Sequence, residues 1–576
     1  MEVKDAQEIE KGEKKGIEIL QILLTVVVIA IVELIYFKDA LRGDKLFGQS
    51  FDSGLVNLIL EHWYDVVCGR GNVLDLRMFW PQSGTLGYSE ALLGPGIIYS
   101  IFRIFGFDFF AAFNPAFIAV HLLGTVFMYL SLRKLGCTRI ISLVGLGITF
   151  WSCSFSQLSW HAQFFSLSGV PILIYIFLCF LEKRSEPLGK RCLYYIAFTV
   201  MTGITFFSSV YVAYVLTLYV LLTFVAFLIY VTAKDKSIVR VSTVIKEKYG
   251  DILLFLFLQL FWVIPFLIVY LPVYKSFGGY DDEFALALAP TVTDFFRTRS
   301  YAPLENTINQ ILMQGLPTEI TDYEMHMILE KSYGWPILAT MLFFASILFS
   351  LFTLKKEKKT GCIMSVIASV VLLGMFLLFC RYGEFCPWLI VSRIIPGAGA
   401  IRALGRPLAI FTVPMSIVVC WFLMQIYSVL KKNKYYYTFS MGILFSLLCF
   451  SNQCARFIER DGEYQRNVMQ NVSQPPEDCK VMFICSANTE AFYDYGTQIL
   501  GCLIADHFKL DTVNGYSGNF PNEWYLFNDQ NGYYTAIDYW LEVKGIESVE
   551  GIYGFVAEEN RWVSYTEIAE SSAVPQ

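Results

Sequence analysis

Apolar residues are gathered along this chain into long runs, which short polar or charged segments separate. A helix needs about 20 apolar residues to cross the hydrocarbon core of a membrane. Runs of about that length lie near residues 17–37, 108–132, 140–157, 163–181, 192–208, 210–232, 252–273, 335–354, 362–380, 407–430 and 435–452. The pattern predicts an all-α polytopic membrane protein with about 11 transmembrane helices.

The segment between the first two runs has a helical pattern of its own. A stripe of apolar residues recurs there at steps of four, four and three: Leu55, Ile59, Trp63 and Val66. Such a stripe predicts an amphipathic helix that lies in the plane of the membrane interface. The stretch 95–105 is apolar but too short to span, so we expect it to be interfacial or re-entrant.

Basic residues are concentrated at the N-terminus and then in every second loop, for example at Arg133, Lys134, Lys183 and Arg184. Lys and Arg near the ends of spans favour the cytoplasmic side. We therefore expect a cytoplasmic N-terminal segment, a transmembrane domain and an extracytoplasmic tail. Their ranges are 1–16, 17–452 and 453–576, and the large outer loops are 38–107, 274–334 and 381–406.

The tail has the character of a soluble domain. It holds 7 Lys and Arg against 19 Asp and Glu, which gives a net charge of 7 − 19 = −12. We therefore expect it to bind neither nucleic acid nor acidic lipid. "KVMFICSA" and "VEGIYGFVA" predict strands, whereas "NTEAFYDYGTQILGCLIADHFKL" and "TAIDYWLEVKG" predict helices. The tail is therefore expected to be a small α/β domain.

Composition agrees with a membrane protein and excludes several other classes. Hydrophobic residues make up 55% of the 576 residues and charged residues only 16%, which is too little charge for a soluble chain of this length. The 14 cysteines form no CxxC pair, and no glycine-rich phosphate loop is present. We expect no metal and no cofactor.

The first outer loop carries the richest chemistry. Asp52 lies about 15 residues beyond the first run, close enough to stay near the membrane surface. Glu90 follows in the same loop, and four aromatic residues accompany the two acids: Trp63, Tyr64, Trp80 and Tyr88. Aromatic rings beside carboxylates suit a sugar, because rings stack on its C–H face and acids accept its hydroxyls. The alternatives are a helix N-cap for Asp52, an exposed loop acid for Glu90 and an interfacial belt for the aromatics.

A second candidate site lies in "SRIIPGAGAIRALGRP", which contains Arg393, Arg402 and Arg406. Positive charge in an outer loop runs against the usual preference of Lys and Arg for the cytoplasmic side. The planar guanidinium group is well suited to binding phosphate, which predicts a phosphate-binding role. The alternative is a basic loop that pairs with acids such as Glu384.

His161, in the short outer link "SWHAQFF", is a further candidate. It could reach a polar cavity and bind sugar, or it could be a structural hydrogen-bonding residue. No second histidine lies near it in sequence, so a histidine-based metal site is unsupported.

Several motifs carry a family resemblance. "FDSGLVNLILEHWY", "FWPQSGTLGYSEALLG", "SWHAQ", "IPGAGAIRALGRP" and "TVNGYSGNFP" resemble segments of bacterial polytopic membrane proteins. That group is similar to the GT-C superfamily of integral-membrane glycosyltransferases. The likeness covers most of the chain and is strongest in Gly48–Gly94, Ser392–Pro407 and Val513–Pro521.

The resemblance implies a plasma-membrane enzyme with a cytoplasmic N-terminus, a catalytic acid soon after the first span and a polyprenyl-phosphate-linked sugar donor. Asp52 matches the position of that acid, and Glu90 could match a second one. Many GT-C members carry two adjacent acids in this loop, whereas "FDSG" has one, which disfavours a metal-dependent version. The implied function is transfer of a sugar to an extracytoplasmic acceptor glycan or lipid, with Arg393, Arg402 and Arg406 binding the donor phosphate.

Two other classes of function are compatible with the sequence. A transporter or flippase of envelope precursors would need ionisable residues inside the spans, where Glu33 and His121 are the best candidates. A non-catalytic assembly protein would use the tail to recognise a partner.

Overall fold

The computed structural model describes residues 2–572 except 43–44, 49, 159–160, 236–237, 299, 301, 315–320, 357–359, 430–432, 454–458, 486–494 and 527–532. Within these residues, nine helices are long and apolar enough to cross a membrane. They are Glu18–Tyr36, Phe113–Lys134, Arg139–Ser156, Ala162–Glu182, Val210–Ala233, Lys248–Phe277, Ile337–Lys355, Thr360–Phe379 and Pro407–Val429. The predicted fold class, an all-α polytopic membrane protein with a small α/β tail, is confirmed.

The other two predicted runs are also helical. The helix Leu188–Ser208 carries Lys190 and Arg191 in its first turn, and the apolar part of Lys434–Gln453 is only Tyr435–Ser451. Neither is among the nine membrane-length apolar helices, so the total of eleven spans stays a prediction. Three of the spans are built from successive helical pieces: Arg139–Ile148 with Cys153–Leu158, Ala162–Ser168 with Gly169–Glu182, and Pro407–Ile410 with Thr412–Val429.

The predicted amphipathic helix forms, over Ser50–Val67. It packs against the helix Leu93–Ile104 and against the tail helix Tyr495–Phe508. Leu55 and Ile59 of the stripe are buried, whereas Trp63 and Val66 are partly exposed. Half of the stripe therefore contacts protein, and the position of the helix in the membrane interface stays a prediction.

The outer loops carry additional short helices. They are Ala40–Arg42, Thr85–Tyr88, Leu93–Ile104, Asp282–Ala287, Val292–Phe296, Pro303–Met313, Asp322–Leu329, Pro387–Ile394 and Ala398–Ala400. Leu93–Ile104 has 12 residues, too short to span, as its sequence indicated. Ile97, Ile101 and Ile104 remain exposed along it.

The tail forms a four-stranded sheet with flanking helices. The strands of the structure are β1 (Lys45–Phe47), β2 (Glu459–Asp461), β3 (Val481–Cys485), β4 (Asp511–Thr512), β5 (Ile552–Val556) and β6 (Arg561–Ser564). The sheet order is β4-β3-β5-β6, parallel except for the antiparallel pair β5–β6. The tail helices are Gly462–Asn471, Tyr495–Phe508, Tyr533–Val543 and Tyr565–Ser572.

Both strands and both helices predicted in the tail are present, although residues 486–494, the end of the first predicted strand and the start of the first predicted helix, lie outside the described residues. The sequence did not predict β2, β4, β6 or the helices Gly462–Asn471 and Tyr565–Ser572.

The tail is joined to the first outer loop. Strand β1 of the loop pairs antiparallel with β2 of the tail. In addition, the Lys509 ammonium group lies 2.9 Å from Asp65 and 3.3 Å from Glu61, two buried acids of the Ser50–Val67 helix. Opposite charges at this spacing, partly withdrawn from water, hold the tail against the helix that carries the candidate acid.

Candidate active site

Asp52 lies in the first turn of the helix Ser50–Val67, where the helix dipole favours a negative charge. Its Oδ2 is 2.6 Å from Nδ1 of His161, and its Oδ1 accepts a hydrogen bond of 2.8 Å from the Tyr516 hydroxyl. The carboxylate therefore bonds two side chains that are distant in sequence. The N-cap interpretation is wrong, because Asp52 is the third residue of the helix and makes no capping bond among the described residues.

His161 is the centre of this network. Its Nε2 lies 3.0 Å from Glu330 Oε1 and 2.7 Å from the Arg406 guanidinium. Arg406 in turn donates two hydrogen bonds, of 2.8 and 3.1 Å, to Glu330 Oε2. A neutral ring that donates from Nδ1 to Asp52 accepts from Arg406 at Nε2, whereas a protonated ring donates to Glu330 as well.

The network is built from five segments that are distant in sequence. Asp52 belongs to the first outer loop, His161 to the short link, Glu330 and Arg406 to the two later loops and Tyr516 to the tail. The side chains of His161 and Glu330 are almost completely buried, with exposures of 8% and 4%. Buried charges need this kind of mutual pairing to remain ionised.

Electrostatics favour a charged state for these groups. Burial opposes ionisation of Asp52, but the hydrogen bonds from His161 and Tyr516 outweigh it and lower the pKa of Asp52. Burial likewise opposes ionisation of Glu330, and the charges of Arg406 and His161 hold its pKa well below the usual value. Burial and Arg406 lower the pKa of His161, but Glu330 and Asp52 outweigh them and raise it on balance.

Glu90 lies beside this network and is only partly accessible. Its Oε1 accepts hydrogen bonds from the Ser209 hydroxyl, at 2.7 Å, and from the Tyr211 backbone N–H, at 3.2 Å. Burial raises the pKa of Glu90 despite these bonds. The alternative of an exposed loop acid is therefore wrong, since the carboxylate is drawn in against the turn that precedes the Val210–Ala233 span.

The three candidate arginines do not form one cluster. Arg406 is bound to Glu330 and His161 as described. Arg393 is 72% exposed and pairs with Asp282. Glu384, the acid expected to pair with this loop, is bound by Arg381 instead.

Arg402 differs from the other two because its contacts among the described residues are with aromatic rings. Its guanidinium lies over the rings of Tyr280 and Phe284, at 4.8 and 5.6 Å from their centroids. Within the part of the chain that the structure describes, no carboxylate pairs with it. The Tyr280 hydroxyl donates a hydrogen bond of 3.0 Å to the carbonyl of Gly518, two residues beyond Tyr516. Arg402 therefore faces the same tail loop that reaches Asp52.

The four aromatic candidates of the first loop are placed around the network rather than in it. The Trp63 indole N–H donates to the Ala91 carbonyl at 2.5 Å, and Tyr64 lies beneath the guanidinium groups of Arg70 and Arg103.

Trp80 packs against the tail, where its carbonyl accepts a 2.9 Å bond from Trp540. Tyr88 is buried and lines a cavity of about 320 Å³ between the first loop, the Lys248–Phe277 span and the tail. Their role in sugar binding stays a prediction.

Sequence reasoning missed Glu330 and did not assign Tyr516. Glu330 is a single acid in "HMILEKSYG", where nothing in the local pattern distinguishes it from surface charge. Tyr516 lies within the motif "TVNGYSGNFP", so its segment was detectable but its function was not. Across the described ranges, no three His, Cys, Asp or Glu side chains are grouped to hold a metal ion.

Glu33 and His121, the residues that a transport path would use, form a closed polar contact between spans. The Glu33 carboxylate accepts from His121 at 3.0 Å, from Thr125 at 2.9 Å and from Trp151 at 3.1 Å. Both residues are buried. This satisfied cluster ties the first three spans together and does not favour a transporter.

Comparison with known proteins yields structural likeness only. No protein-family model and no curated protein matches the sequence. The fold is similar to that of the Archaeoglobus fulgidus oligosaccharyltransferase in its apo form, with 11% identity over 90% of this chain and 68% of that one and a TM-score of 0.47. It is also similar to ArnT from Cupriavidus metallidurans bound to undecaprenyl phosphate, with 13% identity, 85% of each chain covered and a TM-score of 0.34.

Both identities are below 25%, so the GT-C resemblance inferred from the sequence stays a prediction. The nine long apolar helices of the described residues make the chain a multi-pass membrane protein. Because the TM-scores are below 0.5, the function is argued from the site alone.

Proposed function

We propose that the protein is an integral-membrane glycosyltransferase that moves a sugar from a polyprenyl-phosphate-linked donor to an extracytoplasmic acceptor glycan or lipid. One observation carries the proposal. A buried network fixes the Asp52 carboxylate between His161 and Tyr516, just beyond the first span. Arg402, which pairs with no carboxylate among the described residues, lies near the same tail loop.

Asp52 would act as the general base. It accepts the proton of an acceptor hydroxyl, and a lone pair of that hydroxyl oxygen attacks the anomeric carbon of the donor. The bond between that carbon and the phosphate oxygen breaks, and its electron pair leaves with polyprenyl phosphate, which inverts the anomeric centre. The lowered pKa keeps Asp52 ionised, and each carboxylate oxygen still has a second lone pair for the incoming proton.

Arg402 would stabilise the departing phosphate. Negative charge grows on that group in the transition state, and a positioned donor of this kind contributes roughly 3 kcal/mol. Arg406 would act differently, because its guanidinium is already committed to Glu330 and His161. It would be a positioning residue that keeps His161 oriented towards Asp52. Arg393, exposed and paired with Asp282, is left out of the donor site.

The test is release of lipid phosphate. Purified protein would be incubated with a panel of polyprenyl-phosphate hexoses, and free polyprenyl phosphate would be measured. Asp52→Asn should abolish release, whereas Asp281→Asn should not.

Asp281 is a matched control because it is an exposed acid of another outer loop whose side chain only caps the helix Asp282–Ala287. Absence of release from every donor by the wild-type protein, or equal release by Asp52→Asn, would contradict the proposal.

A further inference from the structure

A second cavity lies in the tail, on the far side of Tyr516 from Asp52. It has a volume of about 430 Å³ and is lined by Tyr495 and by residues 520–525. Cavities of roughly 300–1,000 Å³ hold small organic ligands. No step of the proposed reaction has used this space, which we call the tail cleft.

The lining of the tail cleft is rich in aromatic surface. The rings of Phe520 and Trp524 lie parallel, with an angle of 2° and centroids 5.5 Å apart. Tyr495 and Tyr525 are each 48% exposed. Large exposed rings with a polar hydroxyl at one edge combine apolar contact area with hydrogen bonding, which suits the C–H faces and hydroxyls of a sugar ring.

Charge narrows the class of ligand. Among the described residues of the lining, Glu523 is the one ionisable group besides the tyrosines, and none is Lys or Arg. The tail as a whole carries a net charge of −12, from 7 basic and 19 acidic residues. An anionic ligand would be repelled, so a neutral, hydroxyl-rich one fits.

The backbone at Glu523 supports a functional cleft. This residue has a φ of 68°, in the left-handed region that non-glycine residues rarely adopt. Such a conformation costs about 1–3 kcal/mol and persists only where the surroundings fix it. Glu523 lines both this cleft and the cavity beside Tyr88.

The cleft is connected to the catalytic acid. The ring of Tyr495 packs edge-on against Tyr516 at 5.4 Å, and the Tyr516 hydroxyl is 2.8 Å from Asp52 Oδ1. The loop that carries Tyr516 is fixed on both sides of that residue. The Ser517 hydroxyl donates a hydrogen bond of 2.6 Å to the Tyr88 carbonyl, and the Asn514 amide donates one of 2.7 Å to Gln498. The Tyr516 hydroxyl thus occupies a position from which an acceptor hydroxyl could give its proton to Asp52.

We propose that the tail cleft is the acceptor subsite: it binds neutral sugar rings of an acceptor glycan, and the acceptor hydroxyl replaces that of Tyr516 at Asp52 Oδ1. This inference rests on the proposed function, and it adds the substrate class and the residues that select it. It favours a glycan acceptor over an anionic one.

The experiment measures binding without any donor. Saturation-transfer NMR on the purified full-length protein would use maltotetraose and the N-acetylglucosamine tetramer as neutral probes and tetragalacturonate as the anionic probe. At least one neutral probe should bind, and tetragalacturonate should bind at least ten times more weakly. Tyr495→Ala and Tyr525→Ala should each weaken neutral binding by at least tenfold.

A control variant separates the cleft from general aromatic surface. Tyr382→Ala removes a tyrosine that is 45% exposed on another outer loop, and it should leave binding unchanged. Three results would overturn the inference: no binding of either neutral probe, preference for tetragalacturonate, or equal binding by the cleft variants and the wild type. Because no donor is present, failure of lipid-phosphate release alone would contradict the proposed function and not these binding results.

Discussion

Replacement of Asp52 by asparagine separates a structural role from a catalytic one. The carboxylate accepts two hydrogen bonds, from His161 at 2.6 Å and from Tyr516 at 2.8 Å. Hydrogen bonds to a charged group are worth about 1.5–3 kcal/mol and neutral ones about 0.5–1.5 kcal/mol. An amide of the same shape keeps one acceptor, and the Tyr516 hydroxyl can rotate to accept from the new NH₂ group. The expected loss in free energy of unfolding is therefore about 1–3 kcal/mol.

The expected loss of activity is larger. General-base catalysis contributes about 10²–10⁴ in rate, and at 1.36 kcal/mol per tenfold change this is about 3–5 kcal/mol of activation free energy. Turnover would be measured as released polyprenyl phosphate and stability as thermal unfolding, both on the same detergent-purified variant. Asp281→Asn should leave both near the wild-type values.

The reasoning would be refuted if Asp52→Asn kept turnover within threefold of the wild type while its unfolding temperature stayed unchanged. Glu90 would then be the next candidate base, since burial raises its pKa towards the range of an effective proton acceptor. An active Asp52→Asn/Glu90→Gln double variant would remove the glycosyltransferase mechanism from this loop.

Three further predictions concern the phosphate site, the pH dependence and the topology. Arg402→Ala should weaken binding of a polyprenyl-phosphate hexose by about 10²-fold, as measured by binding titrations on the folded variant. Arg402→Lys should restore binding only partly, because an ammonium group lacks the planar, forked set of donors of a guanidinium group. Tyr516→Phe removes a hydrogen bond that lowers the pKa of Asp52, so the acidic limb of the pH–rate profile should move to higher pH; an unmoved limb would contradict the assignment of that limb to Asp52. In a background without native cysteines, an impermeant thiol reagent added outside intact cells should label Glu477→Cys and not Arg184→Cys, both at exposed positions, and the reverse pattern would invert the orientation.

Some of the site could be predicted because its signals are local. Asp52 was selected by its distance from the first apolar run, and the loop of Arg402 and Arg406 by unexpected positive charge among glycines. His161 was selected as a polar residue on a short link, but its partners were not predictable. They lie 109 and 169 residues away, at Asp52 and Glu330.

The arginine loop shows the limit of that reasoning. Its three guanidinium groups lie in the same type of segment, yet Arg393 pairs with Asp282, Arg406 pairs with Glu330, and Arg402 contacts aromatic rings and no carboxylate among the described residues. The sequence gathers the charges in one loop, but which charge stays available depends on which acids the other loops bring near.

Local pattern by itself determined the class of this protein. Runs of about 20 apolar residues must be helical in a membrane because every backbone polar group needs an internal partner, and the tail shows its strands and helices through period and composition. Tertiary structure alone decided the site. A hydrogen bond between Asp52 and Tyr516 joins positions 464 residues apart, and it exists only because the spans, the β1–β2 pairing and the Lys509 contacts bring the tail onto the first outer loop. Such contacts depend on the packing of distant segments, which leaves no periodic trace in the residues that make them.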